Sequence, residues 1–158
     1  MIKGLHHSAY RCRDSEETRQ FYEEFLGLPL VNAFEIGATK TGRKTSVLHS
    51  FYQMDDGSFL AFFEAPGYPF DFKNQHDFDL HIALEVDHEK LHDMLARGKA
   101  QGIETRGIAD HGFIQSIYFR DPNGYVIELT ARTESDNVPL AEAKRDARQA
   151  LDAWQTSK

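Results

Sequence analysis

The segment Asp121-Pro122-Asn123-Gly124-Tyr125-Val126-Ile127-Glu128-Leu129 sets one carboxylate in an apolar, strand-like run that follows a tight turn. Glutamate is disfavoured in mid-strand, and burying it unpaired is costly. A metal ion would remove that cost. Two earlier segments, Leu5-His6-His7-Ser8-Ala9 and Leu80-His81-Ile82-Ala83-Leu84, each place a histidine in a comparable setting. Two imidazoles and one carboxylate make a three-ligand metal site with coordination positions left open.

Elements from both halves of the chain must position these residues, and the halves repeat one order. A strand at 4–12 precedes a helix that Asp14 caps, with Glu17 at the reciprocal position. Phe21, Tyr22, Phe25 and Leu26 give that helix an apolar face, and Gly27 ends it. Strands follow near 28–36, 45–54 and 58–64, the last two joined by Asp55-Asp56-Gly57. In the second half, a strand at 78–86 precedes a helix capped by Asp87, with Leu91, Met94 and Leu95 facing inward and Gly102 at its end. Strands near 103–108, 113–120 and 124–131 complete it. The landmarks keep step: His7 precedes Gly27 by 20 residues and His81 precedes Gly102 by 21. Each half is a βαβββ unit too small to bury both faces of its own sheet.

The expected organisation is one α+β domain over 1–158, with module one at 1–65, a linker at 66–77, module two at 78–132 and a C-terminal helix at 138–155. Residues 37–45 read as a polar, basic loop. Ala143, Ala147, Ala150, Leu151 and Trp154 stripe the last helix, which is expected to pack on its own domain; a lid or a dimer contact is the alternative. Hydrophobic residues make up 41% of the chain, enough for a core without disulfides, and the single Cys12 excludes an intrachain disulfide. A net charge of −7 argues against nucleic acid and anionic lipid surfaces. With no run long enough to cross a membrane, a cytoplasmic protein acting on a small molecule is expected.

The repeated βαβββ order, the histidine on each first strand and the DPNGYVIE ending resemble the vicinal oxygen chelate superfamily, which includes glyoxalase I, bleomycin- and fosfomycin-resistance proteins and extradiol dioxygenases. The resemblance spans about residues 3–131. It implies two modules whose mixed sheets curl around a central metal-binding funnel, built within one chain or across a homodimer. Neighbouring strand residues face opposite ways, so His6 and His7 cannot both point inward. The family's first-strand pattern H-x-A-x-R-x-x-D is similar to His7, Ala9, Arg11 and Asp14, and His81-Ile82-Ala83 repeats its phase. The implied metal ligands are His7, His81 and Glu128, with His6 turned outward.

Glyoxalase I resembles this pattern but carries a glutamate in both copies, four residues after the hairpin glycine. Here that place holds Glu128 in the second copy and Ala61 in the first; Glu64 would need a strand bulge to serve. The run from His111 to Glu128 is similar to the extradiol dioxygenase signature, which implies catalytic roles for His111 and Tyr118. Ala109 departs from that signature, and Gly67 stands where those enzymes carry an acid–base histidine. Phe51 takes the place of Tyr118 in the first copy and His49 that of Ser116; with Phe59 and Phe63 they form an aromatic, substrate-binding wall.

The resemblance thus implies a metal-dependent enzyme, most similar to extradiol dioxygenases, whose aromatic or hydrophobic substrate chelates Fe(II) through vicinal oxygens. Zn, Mn, Ni or Co in the same site would suit the alternative, a glyoxalase-like lyase or isomerase, an epimerase or a thiol transferase using its metal as a Lewis acid. A bleomycin-resistance-type ligand binder is the non-enzymatic alternative.

Overall fold

A computed structural model describes residues 1–134 and 138–158. In the first module, β1 (His7–Cys12), a helix running as α1 (Ser15–Arg19) into a π-helical stretch (Gln20–Phe25), β2 (Leu30–Ala38), β3 (Lys44–Gln53) and β4 (Phe59–Glu64) follow in order. The second holds β5 (Ile82–Glu85), α2 (His88–Ala100), β6 (Thr105–Asp110), β7 (Ile114–Arg120) and β8 (Val126–Arg132), and α3 (Leu140–Ser157) comes last. The two four-stranded sheets have matching orders, β1-β4-β3-β2 and β5-β8-β7-β6. In each, the first strand runs parallel to the last and the others pair antiparallel.

Local chemistry sets the helix boundaries. The Asp14 carboxylate accepts from the Glu17 amide at 2.8 Å and the Asp87 carboxylate from the Lys90 amide at 2.7 Å. Only half of the expected capping box forms, because the Glu17 carboxylate pairs with Arg13 instead. The Leu26 amide bonds to the Phe21 carbonyl at 2.9 Å, a five-residue step, and this wider turn accompanies burial of Phe21, Tyr22, Phe25 and Leu26. Gly27 then leaves the helix at φ +88°, a conformation glycine adopts without strain.

One core joins the modules. Tyr52, Leu60 and Phe62 from the first sheet and Ile117, Phe119, Ile127 and Leu129 from the second are buried in it together with Tyr22, Phe25, Leu91 and Met94. Phe25 meets Phe119 edge-on at 5.1 Å between ring centres. The Asp121–Gly124 turn locks this junction. The Asp121 carboxylate, 2% exposed, accepts from the amides of Asn123 and Tyr125 at 2.9 and 2.8 Å and from the Tyr22 hydroxyl at 2.9 Å. Burial pushes its pKa up, and those donors oppose the shift. The Asn123 side-chain oxygen accepts from the Arg13 amide at 2.8 Å. The linker crosses the same turn so closely that a Cβ at Gly124 would lie 2.6 Å from the Asn74 amide nitrogen.

Three expectations change. The polar, basic loop expected at 37–45 narrows to the hairpin turn between Ala38 and Lys44, closed by a Thr39 amide bond to the Arg43 carbonyl at 2.9 Å. The strand expected at 78–86 starts only at Ile82, because the Asp79 and Leu80 amides turn back onto the His76 carbonyl at 3.0 and 3.1 Å. The last helix does not pack on its own domain: every residue of Leu140–Ser157 is exposed, including Leu140, Leu151 and Trp154. Among the described residues no helix is long and apolar enough to cross a membrane.

Candidate metal centre

Strand alternation separates the core from the chemistry. Ile127 and Leu129 enter the shared core, so Glu128 between them faces the other way; Ala61, between Leu60 and Phe62, does the same in the first sheet. Glu128 pairs across to Tyr118 on β7 and Ala83 on β5. Ala61 pairs to Phe51 on β3 and Ala9 on β1, the same square in the other module.

In the second module, Glu128 is 5% exposed and its Oε2 lies 3.2 Å from His81 Nε2. The Nδ1–H of His81 donates to the Asp77 carbonyl at 2.8 Å. With the proton held there, a neutral imidazole turns its Nε2 lone pair toward the carboxylate. Two acceptors at that distance require a cation between them, a proton or a metal. The donor set therefore fits a divalent metal, which His81 and Glu128 would hold.

A surrounding shell steadies the pair. Arg106 donates to both Asp77 carboxylate oxygens at 2.9 and 2.8 Å, and its guanidinium lies over the Tyr118 ring at 5.0 Å. The Tyr118 hydroxyl lies 3.3 Å from Glu128 Oε1 and 3.1 Å from His111 Nε2. Burial first, then the nearby Glu128 charge, raises the phenol pKa, so Tyr118 is a proton donor to this cluster at neutral pH. The predicted residues His81, Glu128, Tyr118 and His111 are thus brought together.

His7 is not with them. It stands in register with Phe59, its Nδ1 lies 2.8 Å from His6 Nδ1, and its ring lies 5.7 Å from that of Phe51. Among the described residues no three His, Cys, Asp or Glu side chains gather as a metal group. The reason is the shared core, from which the ligand-bearing faces of the two modules both turn away. His6, expected outward in a polar or packing role, is exposed and packs against Phe59 at 5.6 Å. Glu64 is no ligand: β3 and β4 pair without a bulge, and its carboxylate accepts from the Ser15 amide at 2.7 Å, at the start of α1.

The aromatic wall of the first module is assembled. His49 stacks on Phe63 at 3.7 Å and lies 4.2 Å from Phe51, which meets Phe59 edge-on at 5.9 Å. His49 donates through Nδ1 to the Phe62 carbonyl at 3.0 Å. Sequence reasoning missed Phe34, which pairs with His49 and stacks on Phe51 at 6.0 Å, because an irregularity in β2 between Leu30 and Asn32 hides its parity. It also missed Arg106, which the register sets opposite Tyr118, and Asp77, whose contribution is a backbone carbonyl that no side-chain pattern betrays.

Two βαβββ modules of matching strand order, joined by one core, define the α+β class of the chain. The chain belongs to the Glyoxalase/Bleomycin resistance protein/Dioxygenase superfamily, whose description matches residues 4–129 and so leaves α3 outside. It is 26% identical over 149 residues to a metallothiol transferase, FosB, of Shouchella clausii, covering 87% of this chain and 86% of that one. The fold is similar to that of the fosfomycin resistance protein FosX of Listeria monocytogenes, solved with Mn(II) and sulfate, at TM-score 0.63 and 23% identity over 85% of this chain and 97% of that one. A glyoxylase/bleomycin resistance protein/dioxygenase domain from Frankia sp. EAN1pec matches at TM-score 0.66 and 18% identity, over 84% of this chain and 100% of that one.

Proposed function

We propose that this protein is a metal-dependent transferase that adds a thiol to a small electrophile, with the metal held by His81, Glu128 and the His7 of a second copy. The observation that carries the reading is the His81 Nε2–Glu128 Oε2 approach at 3.2 Å, two acceptors facing one cation position. The relationship to a metallothiol transferase favours thiol transfer over oxygen chemistry. When bound there, a divalent ion would supply Lewis acidity to a substrate oxygen.

The chain's own residues do the rest. The Asp77 carbonyl fixes the His81 tautomer, and Arg106 fixes Asp77. The Tyr118 hydroxyl can donate to an oxygen that gains charge beside Glu128, and His111 can resupply that proton. Phe34, Phe51 and Phe63, on the first-module face that carries His7, would offer aromatic surface to the substrate body at the centre of a second copy and exclude water there. A homodimer supplies what one chain lacks, because a second copy can bring its first-module face, with His7, against this chain's second-module face. The modules at 1–65 and 78–132, joined by the 66–77 linker, are the units of that arrangement.

A second reading keeps the ligands but places Fe(II) and dioxygen on them. It draws on the His111–Tyr118 contact at 3.1 Å, which the dioxygenase-like signature pairs. One experiment separates the two. The protein is loaded with Mn(II), or anaerobically with Fe(II), and metal content is measured. It is then given a thiol with the epoxide fosfomycin, or a catechol panel with an oxygen electrode. A thiol adduct with Mn(II) is the expected outcome. Oxygen uptake with Fe(II) and no adduct overturns thiol transfer, and absence of stoichiometric metal overturns both readings in favour of a ligand-binding protein.

A further inference from the structure

Two unpartnered apolar surfaces lie outside the metal centre, and they match each other. One is an open groove of about 950 Å³ between the modules, floored by Leu28 and Met54 on one side and Leu84, Val86 and Leu129 on the other. Its first-module wall carries the exposed Asp55 and Asp56; its second-module wall carries Glu85 and Arg132, paired with each other, Asp87, whose carboxylate caps α2, and Lys90. The other surface is α3, which lies beyond the family match. At 100° per residue, Leu140, Ala143, Ala147, Leu151 and Trp154 fall on one face of it. Lys144 and Arg148 border that stripe on one flank and Asp146 borders it on the other.

We propose that the apolar face of α3 from one copy docks into this groove on a second copy, reciprocally about a two-fold axis. Laid along the groove, the helix sets Lys144 and Arg148 beside the Asp55–Asp56 wall and Asp146 beside Lys90, so the charges select one of its two directions. The stripe then fills the floor, and Trp154 and Leu151 lose their exposure of 64% and 49%. The choice of a second copy rests on the homodimer proposed above. It fits the helix's own position, in which none of its residues is buried against its own chain. Exchange of the helices buries both surfaces twice, as an isologous contact does.

Trp154 is the only tryptophan, so its fluorescence reads the docking of α3 and nothing else. The protein is expected to show an emission shift to shorter wavelength that grows with protein concentration. Asp55→Lys and Lys144→Glu each reverse one side of the contact; Asp56 is left alone because its carboxylate accepts from the Ser58 amide and hydroxyl. Each variant alone is expected to need about tenfold more protein for the same shift, and an equimolar mixture to recover it. Recovery arises only between chains, since both charge matches return in the mixed dimer. Emission of an exposed indole at every concentration overturns the proposal. So does a shift that is independent of concentration and not rescued by mixing, which is docking within one chain, or a concentration-dependent shift that ignores both substitutions. Metal content of the same samples keeps the two readings apart: loss of metal binding with mixing rescue intact sinks the metal centre and leaves the docking standing.

Discussion

The two modules present the same square of positions and fill it differently. In the second, Glu128 stands between Tyr118 and Ala83; in the first, Ala61 stands between Phe51 and Ala9. One square is polar and linked to His111, His81 and, through Asp77, Arg106; the other is lined by rings. Their turns differ as well. Asp55-Asp56-Gly57 is exposed, whereas Asp121 and Asn123 are buried and bonded to the first module. The repeated unit is thus used in two ways: one module carries the His81–Glu128 pair and the structural lock, the other carries His7 and an aromatic wall.

That division predicts unequal responses to substitution. The largest belongs to Glu128→Ala, which makes the second square match the first. Metal binding is expected to vanish, a greater loss than the roughly 10–100-fold that follows removal of an outer partner. Metal analysis and calorimetry check it, and full occupancy in the variant would refute the assignment. Next is Asp121→Ala, which leaves the buried donors of Tyr22, Asn123 and Tyr125 without their acceptor. A destabilisation of about 3 kcal/mol is expected in urea unfolding, at roughly 1–3 kcal/mol for each buried group left unsatisfied. Asp55→Ala at the exposed turn of the first module should change stability by less than about 0.5 kcal/mol. The smallest effect on the centre is that of Arg106→Ala. It frees Asp77 and so loosens His81, and roughly tenfold weaker metal binding with little change in unfolding is expected. Equal losses of stability and affinity would instead make Arg106 a folding residue.

The fold was largely legible because duplication writes its period into the chain. The cap at Asp14, the glycine at 27 and the matched histidines locate elements that the structure places within a few residues. The second half of the centre was legible through alternation and spacing, which set Glu128 opposite Tyr118. What escaped depends on features without a period: a backbone carbonyl at Asp77, an irregular β2 that masks Phe34, and a turn after His76 that delays β5. The separation of His7 from His81 and Glu128 also escaped, because periodicity says which face a residue takes but not which way two joined modules turn those faces. The C-terminal stripe announces an amphipathic helix and is silent on its partner.

The Asp121–Gly124 turn reaches back 99 residues to accept from the Tyr22 hydroxyl and 110 to accept from the Arg13 amide. During synthesis, a chain that has emerged only as far as its first sheet holds these donors without acceptors and an apolar helix face without its cover. The first module's donors therefore meet their acceptors only once the Asp121–Gly124 turn has been made. Exchange of a single module for another would therefore have to carry the turn and its distant donors together.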